Sequence, residues 1–368
     1  MIVVSEAGRD EYRWLAGLAA LTAIALTAAF AVGSALGVPT AEVLIGYATI
    51  IWVIIPPMFT IALLIFFCRC AVMRVDSPIA ALKPFLSQRF GSPALATASF
   101  APVLLLPLFM GAFGTLKQIM PLTRPFTWDD SFASLDRALF LGTQPWRLTH
   151  ALFGSPEATL AIDRIYTGWV PLLFVAVLCF AMFAPRYLRA RFFLSFAASW
   201  LLIGVVGAFL FASAGPCYAQ HIGATTAADN APLMERLHAV NAGGYQLGAV
   251  NWQEVLWTAH TSRDYGFAMG VSAMPSMHNA ITMLYVLALW GYSPLVRSLT
   301  IAFAVAILIG SVHLGWHYAV DGLFAWAAAA VIWSAAGRFL SWAGYDPQPA
   351  SVPADIEVAD PGEAAPAL

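Results

Sequence analysis

The sequence has few charged residues. Asp, Glu, Lys and Arg make up 10% of its 368 residues, whereas soluble domains carry about 25%. Hydrophobic residues make up 60% of the chain. This shortage of charge excludes an ordinary soluble protein and predicts a protein that has lipid as its solvent.

The chain also lacks a basic stripe and a cysteine framework. Its formal net charge is −2, so nucleic acid is not an expected partner. Three of its four cysteines lie in or beside apolar runs, and no second pair matches the closely spaced Cys68 and Cys70 as a metal site would need. We therefore expect neither disulfides nor a structural metal; the four residues are Cys68, Cys70, Cys179 and Cys217.

Long apolar runs are abundant. A membrane-spanning helix needs about 20 consecutive apolar residues. Eight segments approach or exceed this length with at most one charge each: 14–38, 43–68, 94–116, 165–184, 192–216, 279–296, 298–312 and 317–337. They predict an all-α polytopic bundle of about eight transmembrane helices, the first of them an uncleaved helix rather than a signal peptide.

We divide the chain into two extra amino-terminal spans with a cytoplasmic link (1–93), a six-helix core with two large outer loops (94–337), and a tail (344–368). The tail is rich in Pro, Ala and acidic residues, and we expect it to be disordered. Apolar residues at helical spacing in the outer loops predict short helices over 131–141, 145–153 and 251–260.

The distribution of Lys and Arg predicts the orientation. With a cytoplasmic amino terminus, the inner segments hold 11 of the 18 Lys and Arg residues, although the outer segments are far longer. The short link 185–191 alone has three arginines. Both termini are therefore predicted to be cytoplasmic, with loops 117–164 and 217–274 on the non-cytoplasmic side.

A few ionisable residues interrupt or end the apolar runs. On this topology all of them lie at the non-cytoplasmic face, although they come from three distant parts of the chain. Ionisable residues at such positions are rare and usually functional. They are Lys117, Arg124, His278, His313, His317 and Asp321.

These residue types suit phosphoryl transfer. His317 and Asp321 are four residues apart, so they are predicted to share a helix face, and the carboxylate can fix the imidazole tautomer while the other nitrogen acts as nucleophile. His278 can protonate a leaving oxygen. Lys117 and Arg124 can bind phosphate oxygens.

Two other functions fit part of the pattern. His278, His313, His317 and Asp321 could form a zinc site, although Gly315 would break the helix and the two cations would repel a metal. A transporter could use the cluster as a substrate or proton site. It would place the charges near mid-membrane, whereas here they lie at one face.

In chain order the motifs are Lys117 followed by Arg124-Pro125, then Pro-Ser-Met-His at 275–278, then His317-x-x-x-Asp321. This order resembles the type 2 phosphatidic acid phosphatase superfamily over about residues 94–337. The stretches 274–278, 317–321 and 135–146 are similar to its inositol phosphorylceramide synthase-like branch.

The resemblance implies that His317 attacks phosphorus and forms a phosphohistidine, that Asp321 supports it, and that His278 protonates the leaving group. It implies no metal or other cofactor. The implied substrate is a phospholipid or lipid phosphate in the bilayer, with a lipid alcohol as acceptor if the reaction is transfer, and water if it is hydrolysis. Phosphate contacts are expected from Lys117, Arg124 and Ser276.

Two positions depart from the superfamily pattern. Gly310-Ser311 stands where that pattern has Ser-Arg, so one phosphate-binding arginine is missing, and we expect His313 to replace part of it. Met277 replaces the glycine of Pro-Ser-Gly-His, as in the synthase-like branch.

The remaining polar residues of the outer loops are given no catalytic role. The aspartates of the first loop are predicted to start helices or to lie at the surface. The loop histidines lack matching partners in the sequence. The residues are Asp129, Asp130, Asp136, His150, His221, His238 and His260.

Overall fold

The computed structural model describes residues 6–345, with the side chains at 6–10, 51, 54, 55, 58, 62, 88 and 89 left aside. The tail beyond residue 345, predicted to be disordered, lies outside the described residues, as do the side chains of Arg9 and Arg89 that entered the orientation count. Within residues 6–345 the regular structure is helical and contains no strand. The predicted all-α class is confirmed.

Most of the helices follow one another with short connections, and longer segments precede α11 and α13. The first part of the chain forms α1 (Glu6–Leu36), α2 (Thr40–Val72), α3 (Pro78–Phe90), α4 (Pro93–Thr123), α5 (Asp129–Leu139), α6 (Pro145–Leu152), α7 (Pro156–Thr167) and α8 (Trp169–Phe183). The helix α9 (Arg186–Leu201) continues through a π-helical turn (Leu202–Gly207) into α10 (Ala208–Leu210). The chain continues with α11 (Ala227–Val240), α12 (Gly248–Ser262), α13 (Met277–Leu289), α14 (Pro294–His313) and α15 (Ala319–Trp342).

Six segments of the described chain are long and apolar enough to cross a membrane: Glu11–Leu36, Pro93–Thr123, Pro156–Phe183, Arg186–Leu210, Pro294–His313 and Ala319–Trp342. They indicate a multi-pass membrane protein. The other two predicted spans fall on α2 and α13. With 13 residues, α13 is shorter than the roughly 20 that a crossing helix needs.

The predicted boundary between the sixth and seventh spans, at Arg297, is wrong. The helix α13 ends at Leu289, and α14 begins at Pro294. The Ser293 hydroxyl accepts a hydrogen bond from the Val296 amide at 3.3 Å, and proline suits the first helical position because it has no amide to satisfy. This cap, rather than the arginine, starts the helix.

Helices are confirmed in the outer loops. They are α5 and α6 in the first loop and α12 in the second, each within two or three residues of the predicted bounds. The structure adds α7, which precedes the span α8, and α11.

Small residues let the core helices approach closely beside the motifs that contain His278 and His317. A Cβ atom on Gly322 of α15 would lie 2.3 Å from Leu308 of α14 and 3.0 Å from the Asn279 side chain of α13. A Cβ atom on Gly310 would lie 3.0 Å from Tyr166 of α7. Since α4 and α14 end where α13 and α15 begin, their polar termini meet at one end of the bundle.

The opposite end holds a buried ionic cluster, here called the inner cluster. The Glu11 carboxylate accepts hydrogen bonds from the Trp14 indole at 2.7 Å, the Tyr345 hydroxyl at 3.0 Å and the Arg186 guanidinium. Arg189 lies 3.6 Å from the same carboxylate. The cluster ties the start of α1 to the start of α9 and to the residues after α15.

Candidate active site

His317 and Asp321 are in contact, as predicted, but not on one helix face. His317 lies in the link 314–318 between α14 and α15, and α15 begins only at Ala319. Its Nδ1 atom is 3.3 Å from Asp321 Oδ2, which also accepts the Tyr318 amide at 3.1 Å. The contact therefore has helix-cap geometry, with the carboxylate in the first turn of α15.

The environment of His317 suits a nucleophile. Its side chain is 9% exposed and that of Asp321 is fully buried. Burial lowers the pKa of His317 to about 3; a contact with the Ala273 carbonyl opposes this shift, and the positive charge of Lys117 adds to it. The imidazole is therefore neutral at physiological pH. With its proton on Nδ1, facing the carboxylate, the Nε2 lone pair is available for attack.

His278 lies beside His317 in the first turn of α13. The two ring centroids are 6.5 Å apart. The His278 ring stacks on Tyr166, at 4.6 Å and 15° between planes, and packs against Trp169 at 4.1 Å. These two aromatic residues were not among the predicted site residues. Their only signal in the sequence is their place at the start of a predicted span, where aromatic residues are common.

Ser276, a predicted phosphate ligand, is fully buried and already bonded within the protein. Its hydroxyl accepts from the Asn279 side chain at 3.0 Å, and its amide donates to the Asp321 carbonyl at 3.4 Å. The Asn279 amide also reaches the Ser311 hydroxyl, at 3.3 Å. These bonds join the starts of α13 and α15, and the phosphate contact of Ser276 stays a prediction.

Lys117 is half-buried near the end of α4, close enough for its charge to act on His317. Among the described residues, no carboxylate forms an ion pair with it. The loop before α13 lies over this helix end: a Cβ atom on Gly270, whose φ is +106°, would lie 3.3 Å from the Lys117 carbonyl carbon. Arg124 is exposed at the carboxyl end of α4, seven residues further on. Its phosphate contact also stays a prediction.

His313 is fully buried and engaged by protein groups. Its ring nitrogens lie 3.0 Å from the Thr159 hydroxyl and 3.3 Å from the Thr149 hydroxyl, and its ring centroid is 4.1 Å from that of His150. His150, for which the sequence predicts no catalytic role, also contacts the His313 carbonyl at 2.9 Å. These contacts anchor α14 to α6 and α7. The predicted phosphate contact of His313 would require one of them to break.

Ser311, at the position of the missing arginine, is used inside the fold. It is fully buried, and its hydroxyl donates to the Leu308 carbonyl at 2.8 Å. Its own carbonyl accepts the His317 amide at 3.0 Å. The residue therefore holds the start of the link that carries His317.

The sequence predicts that the aspartates of the first loop start helices or lie at the surface. Asp129 and Asp130 do start α5. A surface position is wrong for Asp129 and Asp136, since each is 2% exposed. The outer loops fold back over the bundle, and both carboxylates accept hydrogen bonds from backbone amides of distant segments. Burial raises the pKa of Asp136 to about 7; the amides of Ala319 and Val320 oppose this shift, and the charge of Asp321 adds to it.

A metal site is not formed by these residues. Within residues 6–345, no three side chains of His, Cys, Asp or Glu are grouped so that they could hold a metal ion. The same range has no disulfide, and Cys68, Cys70, Cys179 and Cys217 are free.

Comparison with known proteins agrees with this arrangement. A family model described as the PAP2 superfamily matches residues 130–335, more than half of the chain, and this range includes His278, His317 and Asp321. Searches of curated proteins and of solved structures gave no match. Members of the superfamily are phosphatases or phosphotransferases that act on lipid phosphates in a bilayer. This chain belongs to the PAP2 superfamily.

Proposed function

We propose that the protein is a membrane lipid phosphotransferase of the inositol phosphorylceramide synthase-like branch. It transfers a phosphoryl group or a phospho-headgroup from a lipid to an alcohol through a phosphohistidine on His317. The observation that carries the proposal is the contact between His317 Nδ1 and the buried Asp321 carboxylate, with His278 and Lys117 beside it.

In the first step, His317 Nε2 attacks phosphorus and the bond from phosphorus to the leaving oxygen breaks. The electron pair stays on that oxygen, which takes a proton from His278. Asp321 stabilises the positive charge that develops on the attacking ring. Lys117, with Arg124, balances the charge on the remaining phosphate oxygens.

In the second step, the acceptor hydroxyl attacks the phosphohistidine and gives its proton to His278. The phosphorus–nitrogen bond breaks, and His317 recovers its lone pair. Water in place of the alcohol gives hydrolysis by the same steps. The burial of His317 and Asp321 supports transfer, because a site closed to bulk water favours a lipid alcohol over water.

The proposed topology places both termini in the cytoplasm and the active site at the other membrane face. Glu11 and Tyr345 are bonded at one end of the bundle, together with the arginines that begin α9. On α4, the Ser99 hydroxyl accepts a hydrogen bond from Arg189. Lys117 lies about 27 Å further along the same helix, at 1.5 Å per residue. This distance is close to the thickness of the hydrocarbon core of a membrane.

The topology is tested by cysteine labelling in a variant with its four native cysteines replaced by alanine. Gln220→Cys lies in the second outer loop, and Lys83→Cys in α3; both native side chains are exposed. An impermeant thiol reagent applied to intact cells should label Gln220→Cys alone. Labelling of Lys83→Cys alone would reverse the orientation.

The reaction is tested with purified, reconstituted protein and a panel of phosphate-labelled lipids that includes phospholipids, phosphatidic acid and a polyprenyl phosphate. Each lipid is incubated with and without a ceramide or a diacylglycerol. The expected product is the acceptor carrying the label. Label released only to water would establish hydrolysis instead. No product from the folded protein with any lipid, or equal product from the His317→Ala variant, would refute the proposed mechanism.

A further inference from the structure

Helix α5 carries two buried aspartates seven residues apart, Asp129 and Asp136. This spacing is close to two helical turns, so both side chains project from the same face. Both contact backbone segments that adjoin His317 rather than other residues of α5. The face that they share is therefore turned toward the active site.

Asp136 holds the start of α15. Its two carboxylate oxygens accept hydrogen bonds from the Ala319 amide at 2.8 Å and the Val320 amide at 3.0 Å. The first amides of a helix have no partner within the helix, and a carboxylate there also interacts favourably with the helix dipole. Because Asp321 lies in the same turn, Asp136 fixes the position of the carboxylate that contacts His317.

Asp129 holds the link on the other side. Its Oδ1 atom is 3.2 Å from the Tyr318 hydroxyl, next to His317 in the chain. The same carboxylate accepts the amides of Ala214 and Gly215 at 2.9 and 2.8 Å.

The segment held by Asp129 packs directly on the link. A Cβ atom on Gly215, whose φ is +105°, would lie 2.7 Å from the Trp316 carbonyl oxygen. The Cys217 amide donates to the Gly315 carbonyl at 2.9 Å. Asp129 thus acts on the residues before and after His317, through Gly215 on one side and Tyr318 on the other.

We propose that Asp129 and Asp136 are positioning residues of the active site, and that α5 is the element that orients His317 and Asp321 for attack on phosphorus. This inference rests on the proposed function. Neither aspartate touches the substrate. Asp136 acts through backbone amides, and Asp129 acts through backbone amides and the Tyr318 hydroxyl. Removal of either carboxylate therefore lowers the rate of phosphohistidine formation and leaves substrate affinity unchanged.

The chain offers a matched control in Asp163. Its carboxylate is fully buried and accepts the Gly248 and Ala249 amides, at 2.9 and 2.8 Å, at the start of α12. Like Asp136, Asp163 accepts the first two amides of a helix, and it differs in that the exposed Arg164 guanidinium lies 3.8 Å from its Oδ2 atom. The helix α12 carries none of the proposed catalytic residues. A purely structural effect of losing a buried cap should therefore be similar in Asp136→Asn and Asp163→Asn.

The test compares Asp129→Asn, Asp136→Asn and Asp163→Asn in reconstituted full-length protein, with quantities expressed per folded molecule. The rate of phosphohistidine formation is measured by rapid quenching in alkali, because the bond is acid-labile. We expect a fall of about 10- to 100-fold for the two α5 variants, with KM within about twofold of the wild-type value, and less than about threefold for Asp163→Asn.

Tyr318→Phe provides a milder test, because it removes only the hydroxyl that bonds Asp129. It should fold as the wild type does and lower the rate several-fold. Wild-type rates in both Tyr318→Phe and Asp136→Asn, or an equal loss in Asp163→Asn, would overturn the inference. Wild-type protein that carries no label on His317 would instead refute the proposed function.

Discussion

The two ends of the bundle use the same residue types in opposite ways. In the inner cluster, the buried Glu11 carboxylate lies against Arg186 and Arg189, so charge of one sign is matched by charge of the other. At the active-site end, Lys117 has no carboxylate partner among the described residues, and Asp321 Oδ1 accepts no hydrogen bond from them.

This difference is what the proposed function requires of a structural charge and of a substrate-binding charge. Buried charges stabilise a fold only when they are paired and hydrogen-bonded, as they are in the inner cluster. A cation that has no carboxylate partner among the described residues, as is the case for Lys117, is suited to bind a phosphate, which brings negative charge with the substrate. The following predictions test whether one end of the bundle contributes to stability and the other to catalysis.

The largest loss of turnover is expected at His317, the proposed nucleophile. His317→Ala should reduce turnover of every substrate below detection, and Asp321→Asn should lower it strongly because the imidazole loses its orientation. Residues that act as a unit give losses that do not add. The double variant should therefore be no worse than His317→Ala alone. A further loss in the double variant would mean that the two residues act independently.

The second-largest loss of turnover is expected at His278, the proposed proton donor. His278→Ala should lower turnover by about 10²- to 10⁴-fold with a lipid alcohol as leaving group, because an alkoxide leaves poorly without a proton. With p-nitrophenol as leaving group the loss should be much smaller. Comparing the two substrates in one variant is the measurement, and equal losses would assign His278 a role other than proton donor.

At the opposite end, the effect should be on stability rather than on chemistry. Glu11→Ala removes the carboxylate that Arg186 and the fully buried Arg189 contact, and breaking a buried pair costs about 3–5 kcal/mol. The unfolding temperature in detergent should fall, while turnover per folded molecule stays within about twofold. A selective loss of turnover would show that the two ends are coupled.

The nucleophile itself should give a small pH response. Because burial lowers the pKa of His317 to about 3, the ring stays neutral through the range in which an exposed histidine, at about 6.5, would gain a proton. Asp136, whose pKa burial raises to about 7, should lower the wild-type rate as it gains a proton. In the Asp136→Asn variant, phosphohistidine formation from a p-nitrophenyl substrate should therefore be level from pH 8 to about pH 5 and fall only as the pH approaches 3. A midpoint near 6.5 in this variant would indicate an exposed nucleophile.

No effect is expected from chelation. The proposed positive charge is supplied by Lys117 and Arg124, so turnover should be the same before and after treatment with EDTA. Loss of activity on chelation and its return with zinc or magnesium would favour a metal-dependent reaction at this end of the bundle.

Local patterns in the sequence predicted what lies close in the chain. The contact of His317 with Asp321 followed from a spacing of four residues, and the outer-loop helices followed from apolar periodicity. The boundary near Arg297 was missed because a continuous apolar run hid the Ser293 cap. In such a run, a single charged residue indicates a helix boundary more readily than a short capping motif does, even where the cap marks the true boundary.

Contacts between distant segments could not be predicted. An aspartate in a polar loop has the same local pattern whether it faces water or a helix start 183 residues away, as Asp136 does. The stacking of Tyr166 on His278 and the pairing of His150 with His313 likewise depend on how the loops fold over the bundle. Only the tertiary structure brings these residues to the site.

The aspartate caps also determine when the active site can form. Asp129, Asp136 and Asp163 bond to amides that follow them by 85 to 184 residues. Synthesis delivers the aspartates first, and His317 follows much later, just before α15. The link around His317 therefore cannot reach its bonded form before α15 has been made, so a nascent or truncated chain that lacks this helix has no assembled nucleophile in the membrane.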